Sequence, residues 1–136
     1  MKHSAQSRCF GCGPANPTGL RLEFLLAEDG SVVSLPTIPN CFEGPPGYLH
    51  GGIIATLLDE AMSKSVRAQG VTAVTGQMEI NYLRPVHYAS PIRLEGRLLR
   101  SEGRKHWTKA RILDPRSRVL AEAKGLFIEI GGNHGF

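Results

Sequence analysis

The stretch GYLHGGIIATLLDEAMSKS, Gly47–Ser65, decides how this chain is read. Apolar residues recur in it at helical spacing. On a helix from Gly52 to Arg67, the residues Ile53, Ile54, Leu57, Leu58, Ala61, Met62 and Ser65 share one broad arc, the core face. His50-Gly51-Gly52 stands directly ahead, and a carboxylate pair, Asp59-Glu60, lies inside the run. Glu60 has Lys64 four residues on, the favourable orientation for an ion pair worth about 0.3 kcal/mol. Asp59 falls nearly opposite the core arc, in a stripe of small residues with Gly52, Ala55, Thr56, Ser63 and Val66. It has no cation three or four positions away. A carboxylate so placed resists ionisation and is a stronger base than an exposed one. The plainer alternative is an aspartate exposed beside a subunit boundary, or one hydrogen-bonded to Thr56 or Ser63.

The glycines add a second element. A helix start offers unpaired amides and partial positive charge, and Gly51-Gly52 leaves them uncovered, so an oxyanion could sit there. Amides at the helix start and Asp59 two turns later are the parts needed for attack of water on an activated carbonyl. Glycine giving flexibility before a helix is the alternative for that pair.

Outward from this segment, Gly70 ends the helix. The period then changes from helical to two. Val74, Gly76, Met78, Ile80 and Tyr82 form one face of a strand; Thr75, Gln77, Glu79 and Asn81 form the other, polar face. Ile92 to Leu99, Trp107 to Leu113 and Val119 to Ile130 alternate likewise, with short turns at Glu102-Gly103 and Asp114 to Ser117. Upstream, Leu20 to Leu26 and Ser31 to Ile38 read as a hairpin, with Leu20, Leu22, Phe24 and Leu26 on one face. The three prolines of PNCFEGPPG, Pro39 to Gly47, exclude regular structure there. Short links between consecutive strands mean an antiparallel sheet, and the single helix packs against it or is wrapped by it. The expectation is an α+β fold in one domain, 1–136, with an irregular lead-in over 1–19 and a loose end at 131–136.

The 136 residues, 41% hydrophobic and 21% charged, suit one globular core. No apolar run is long enough to span a bilayer and no secretory leader is visible, so the expected location is the cytoplasm, with no membrane partner. Three cysteines argue against a disulfide framework. Cys9 and Cys12 have metal-like spacing, but a closed zinc site wants four ligands, which Cys41 and His3 would have to complete. The expectation is no metal, with apolar or turn roles for these thiols. Between Arg84 and Lys124 stand 11 Lys/Arg against 4 Asp/Glu, leaving 5 against 8 elsewhere. That field attracts polyanions, a nucleic acid or a phosphorylated cofactor, unless it is only a solvated sheet face. Trp107 is the one aromatic residue singled out among those charges and no recognition motif appears, so no nucleic-acid partner is expected.

The motif HGGIIATLLDEAM, with an aspartate nine positions after the histidine, resembles the hotdog-fold acyl-CoA thioesterases of the phenylacetate-degradation type. The likeness extends to EGPPGYLHGG before it, VTGQMEINYLRPV after it and the CFGCGPANPTGL lead-in. It implies a hotdog fold, one long helix wrapped by about five to six antiparallel strands, and hydrolysis of an acyl-CoA to free acid and coenzyme A. By position, Asp59 would be nucleophile or general base, the Gly51 amide the oxyanion donor, and Thr75 the holder of the water. Many relatives carry asparagine where this chain has Gly44, six residues before His50. The nearest asparagine is Asn40, and His50 would supply part of the missing contact or only orient the loop; Gly52 completes the substrate-binding start of the helix. The resemblance further implies a homodimer, often paired into a homotetramer, with each site shared between the helix of one subunit and the partner's strands. Arg84, Arg100, Arg104 and Lys105 are then candidates for the coenzyme A phosphates. No cofactor is required. A non-hydrolytic acyl-CoA or acyl-lipid binding module is the competing reading, because the fold alone does not fix an activity.

Overall fold

The computed structural model describes residues 4–131. Its elements run β1 (Leu25–Leu26), β2 (Val32–Ser34), a 3-10 turn (Asn40–Phe42), α1 (Gly51–Arg67), β3 (Ala73–Tyr82), β4 (Arg93–Glu102), β5 (Lys105–Leu113) and β6 (Val119–Glu129). The six strands form one antiparallel sheet in the order β1-β2-β4-β5-β6-β3. Helix α1 lies on one face, the arrangement that the alternation and the resemblance both imply. The 3-10 turn is the one regular piece within the proline-rich segment read as irregular. His3 and residues 132–136 fall outside the described part.

Helix α1 stays on the sheet because its apolar arc is buried: Leu57, Leu58, Ala61 and Met62 are all fully enclosed. Burying four such side chains stabilises the packing by several kcal/mol. Close approach needs a gap in the opposing strand, and Gly96 of β4 supplies it. A Cβ there would stand 2.1 Å from the Ala61 carbonyl oxygen. Val66, placed by the helical wheel in the small-residue stripe, is instead 1% exposed. Gly70, at φ +77°, closes the far end, where only a residue tolerant of left-handed geometry is unstrained.

The first hairpin is shorter than the alternation predicts. Only Leu25 and Leu26 pair with β2. The amides of Leu20 and Leu22 instead donate to the carbonyls of Phe10 and Gly11, at 2.8 and 2.9 Å, and Arg21 adopts φ 51°. The lead-in therefore acts as the partner that the sheet does not provide. Leu22 and Phe24 are buried as the alternation requires, but Leu26 faces solvent.

Much of the basic surplus is paired: Arg118 with Asp114 in the β5–β6 turn, and Arg93 and Arg111 with Glu95 and Arg97 with Asp29 on the outer sheet face. That face holds a concave cavity of about 1100 Å³ lined by side chains of both signs, including Glu79, Arg97, Lys109 and Glu122. Among the described residues no helix is long and apolar enough to cross a membrane.

Candidate active site

The start of α1 is organised by His50. As the N-cap it holds extended geometry, φ −61° and ψ 138°, and its Nδ1 accepts a 2.9 Å hydrogen bond from the Gly52 amide. The ring thus carries its proton on Nε2 in this arrangement. The His50 carbonyl takes the amides of Ile53 and Ile54 at 3.0 and 3.1 Å. Gly51 N–H is left as the amide at the helix start with no acceptor among the described residues. Gly52, expected to serve substrate, has its amide engaged by the cap. On the other side, Tyr82 Oη donates to the Gly51 carbonyl at 3.0 Å, tying the helix start to the end of β3.

Two turns on, Thr75 Oγ1 donates a 2.6 Å hydrogen bond to Asp59 Oδ1. Burial pushes the Asp59 carboxyl above the ordinary carboxylate value, and the Thr75 bond pulls in the other direction without cancelling it. Neither Thr56 nor Ser63 is the partner: Thr56 Oγ1 bonds back to the Gly52 carbonyl.

The face occupied by Thr75 corrects the alternation. Strand β3 pairs Thr75 with Phe127 and Gln77 with Leu126, so Gly76 is the extra residue of a β-bulge. Beyond it, Met78, Ile80 and Tyr82 lie opposite Gly125, Ala123 and Ala121, positions of the helix-covered face. Phe127 belongs to that same face and is 1% exposed, so Thr75 joins it rather than the outer face of Gln77, Glu79 and Asn81. An inserted residue reverses the alternation across it, which is how bulges re-aim side chains.

Gly51 and Asp59 stand well apart within one chain. Gly51 and Asp59 are eight residues apart on one helix, roughly 12 Å along its axis at about 1.5 Å per residue. A thioester carbonyl spans little more than one bond, so one substrate cannot take Gly51 on its oxygen and Asp59 at its carbon from the same subunit. Among the described residues no strand covers the edge nearest Asp59: β3 is the terminal strand of the sheet, ten residues long and largely exposed.

The basic candidates divide between the two ends of β3. Arg84, following Tyr82, bonds to the Val119 carbonyl at 3.1 Å. Arg104 bonds twice to the Glu129 carbonyl at the Thr75 end, with Lys105 next to it. Arg100 stacks over the Trp107 ring at 3.7 Å and reaches Glu102 at 3.3 Å. They do not form one phosphate site within a chain. Asn40 sits exposed in the 3-10 turn, where its carbonyl accepts from the Glu43 amide. At Gly44 a Cβ would stand 2.7 Å from His50 Cα, so this loop conformation excludes an asparagine at that position.

Glu60 departs from its simple expectation. The ion pair with Lys64 is present at 3.9 Å, yet Glu60 is 8% exposed, because the lead-in covers it. Cys9 and Cys12 lie against its carboxylate. Burial, with the Glu60 charge adding and Lys64 opposing, pushes the Cys12 thiol up to about 12, which leaves it protonated and a poor nucleophile.

A long helix laid on a six-stranded antiparallel sheet, with an acid at its middle and bare glycines at its start, is the hotdog architecture. The thioesterase superfamily model matches residues 46–121, more than half the sequence, and the chain belongs to that superfamily. It is 35% identical over 89 residues to acyl-coenzyme A thioesterase THEM4 of Bos taurus, covering 65% of this chain and 36% of that protein. A crystal structure of a thioesterase superfamily protein shares 33% identity with a TM-score of 0.81, covering 85% of this chain and 60% of that one. The Escherichia coli PaaI protein of the phenylacetic acid degradation operon superposes with a TM-score of 0.76 at 21% identity, over 84% and 83% of the two chains. This last likeness speaks to fold alone. The chain thus spans about a third of THEM4 and about three fifths of the first solved relative.

Proposed function

We propose that this protein hydrolyses an acyl-CoA thioester to a free acid and coenzyme A, at sites that each join two subunits of a homodimer. Asp59 and Thr75 come from one subunit, and the free Gly51 amide comes from the other. The observation that carries the reading is the half-buried Asp59, held by Thr75 at 2.6 Å beside an open sheet edge. The names of its relatives support the substrate class.

In this mechanism Thr75 occupies Asp59 Oδ1 and leaves Oδ2 to act. Oδ2 takes a proton from water, whose oxygen adds to the thioester carbon, or it adds there itself and water later cleaves the resulting anhydride. In either course the carbonyl oxygen becomes an oxyanion at the Gly51 amide, where the helix start favours negative charge. The C–S bond then breaks and coenzyme A leaves as the thiol after taking up a proton. Arg104 and Lys105 lie at the Thr75 end of the sheet and in this reading would meet the coenzyme A phosphates. An unpaired ten-residue edge strand is a template for a second copy, and the small residues beside Asp59 permit its close approach.

Chain mixing tests the shared site. Gly51→Pro removes the free amide at a helical position that accepts proline, and the ψ of His50 already suits a following proline. Gly51→Pro and Asp59→Asn are each expected to lower thiol release at least about 100-fold. Mixed after dissociation and reassociation, they regain about a quarter of wild-type activity, because half the dimers then hold one intact site. No recovery would place both groups in one chain. Wild type that binds acyl-CoA but never releases thiol would make the protein a binding module.

A further inference from the structure

Glu60 follows Asp59 in sequence and points about 100° away from it around α1, toward the lead-in. Beneath the lead-in, Cys9 Sγ lies 3.9 Å from both Glu60 carboxylate oxygens, and the donor atoms of Cys9, Cys12 and Glu60 are all within 4.8 Å of one another. We propose that Cys9, Cys12 and Glu60 bind a zinc ion that clips the lead-in to helix α1.

The donor set selects the metal. Two thiolates favour zinc, copper(I) or iron–sulfur clusters; the carboxylate oxygen disfavours copper(I), and a cluster needs about four cysteines. Geometry agrees. Zinc bonds of about 2.3 Å to sulfur and about 2.0 Å to oxygen, at tetrahedral angles, set donor atoms roughly 3.5–3.8 Å apart. The observed separations need shifts of only tenths of an ångström up to about one. Charge also closes. Two thiolates, one carboxylate and Zn²⁺ sum to one negative charge, and the Lys64 ammonium lies 3.9 Å from Glu60 Oε1 to offset it. Binding exchanges two thiol protons for two Zn–S bonds, with no change in oxidation state. Water supplies the fourth ligand.

A second, independent feature is how the loop is built. The Gly13 amide closes onto the Cys9 carbonyl at 2.8 Å, and within this turn both thiols lie against the Glu60 carboxylate. Gly11 lies so close over the carboxylate that a Cβ there would stand 2.5 Å from Glu60 Oε2. The bonds from Leu20 and Leu22 to Phe10 and Gly11 fix the loop from behind. Cys9 is exposed, which leaves the ion a way in, whereas Cys12 is buried.

The test uses the full chain without a histidine tag, purified under reducing conditions and incubated with Zn²⁺. After dialysis, elemental analysis is expected to find about one zinc per chain. Cys9→Ser alters an exposed position, so it should fold, and its zinc content should fall at least about tenfold. Cobalt(II) provides a second readout: wild type should show thiolate-to-cobalt charge-transfer absorption that zinc abolishes, and Cys9→Ser, Cys12→Ser and Glu60→Gln should weaken it. A chelator should lower the melting temperature of wild type but not of Cys9→Ser. Wild type that retains no zinc, Cys9→Ser that retains as much as wild type, or a Cys9–Cys12 disulfide in its place would overturn the proposal. Thiol release is not part of the readout, so the outcome stands apart from the catalytic reading.

Discussion

Thr75 Oγ1 and Asp59 Oδ1 are joined by a 2.6 Å hydrogen bond that links the middle of α1 to the edge strand β3. The bond lowers the Asp59 carboxyl against the upward push of burial, so it tunes the carboxyl as well as positioning it.

The raised Asp59 carboxyl has a consequence for activity. In the proposed reaction the ionised Asp59 is lost on acidification through its folded-state value, so the acid limb of kcat/KM should lie above the ordinary 3.8. A pH profile of thiol release measures it, and a limb at or below 3.8 would contradict the burial argument.

Stability should move the other way. Between the unfolded and the raised folded value the native state holds more protons, so this contribution is full below 3.8 and is lost as pH rises through the folded value. Asp59→Asn should therefore melt higher than wild type at neutral pH, with the difference vanishing below about pH 4. Thermal melts of the two proteins across pH are the check.

Replacing Thr75 by valine keeps the shape and removes the donor. Asp59 then loses the bond that lowers it, and the acid limb should shift further upward while turnover drops. Serine at the same position should restore the limb. An unchanged profile in Thr75→Val would mean that the bond has no part in tuning the base.

The His50 cap can be separated from chemistry by substitution. His50→Ala should cost about 1 kcal/mol of stability by urea titration, and His50→Asn should recover most of it, since asparagine also accepts from the amides of a helix start. If asparagine gave no recovery, the cap would not be the reason for the loss.

At Gly96 even a methyl group meets backbone, 2.1 Å from the Ala61 carbonyl oxygen. Gly96→Ala should force α1 off the sheet and destabilise by about 1–3 kcal/mol or more. A lower urea midpoint with an unchanged slope is the expected result.

The sequence by itself determined the helix, because the apolar arc of Leu57, Leu58, Ala61 and Met62 repeats with its period. It likewise determined the four long strands by their two-residue alternation, and it marked His50, Gly51 and Asp59 by their types and spacing. The partners of those elements were decided only in three dimensions. The alternation put Thr75 on the outer face because it counts residues, and one bulge at Gly76 reverses the count; a glycine inside a strand was the local signal for it. Glu60 looked like a solvated ion-pair partner because nothing near it in sequence reveals that residues fifty positions earlier fold over it. The first hairpin was read too long for the same reason, since its amides found carbonyls in the lead-in. The separation of Gly51 from Asp59 follows from helical rise, whereas the place of β3 at the edge of the sheet is a feature of the tertiary structure alone. Periodicity reports what an element wants to bury, whereas the group that buries it comes from elsewhere in the chain and is set by packing.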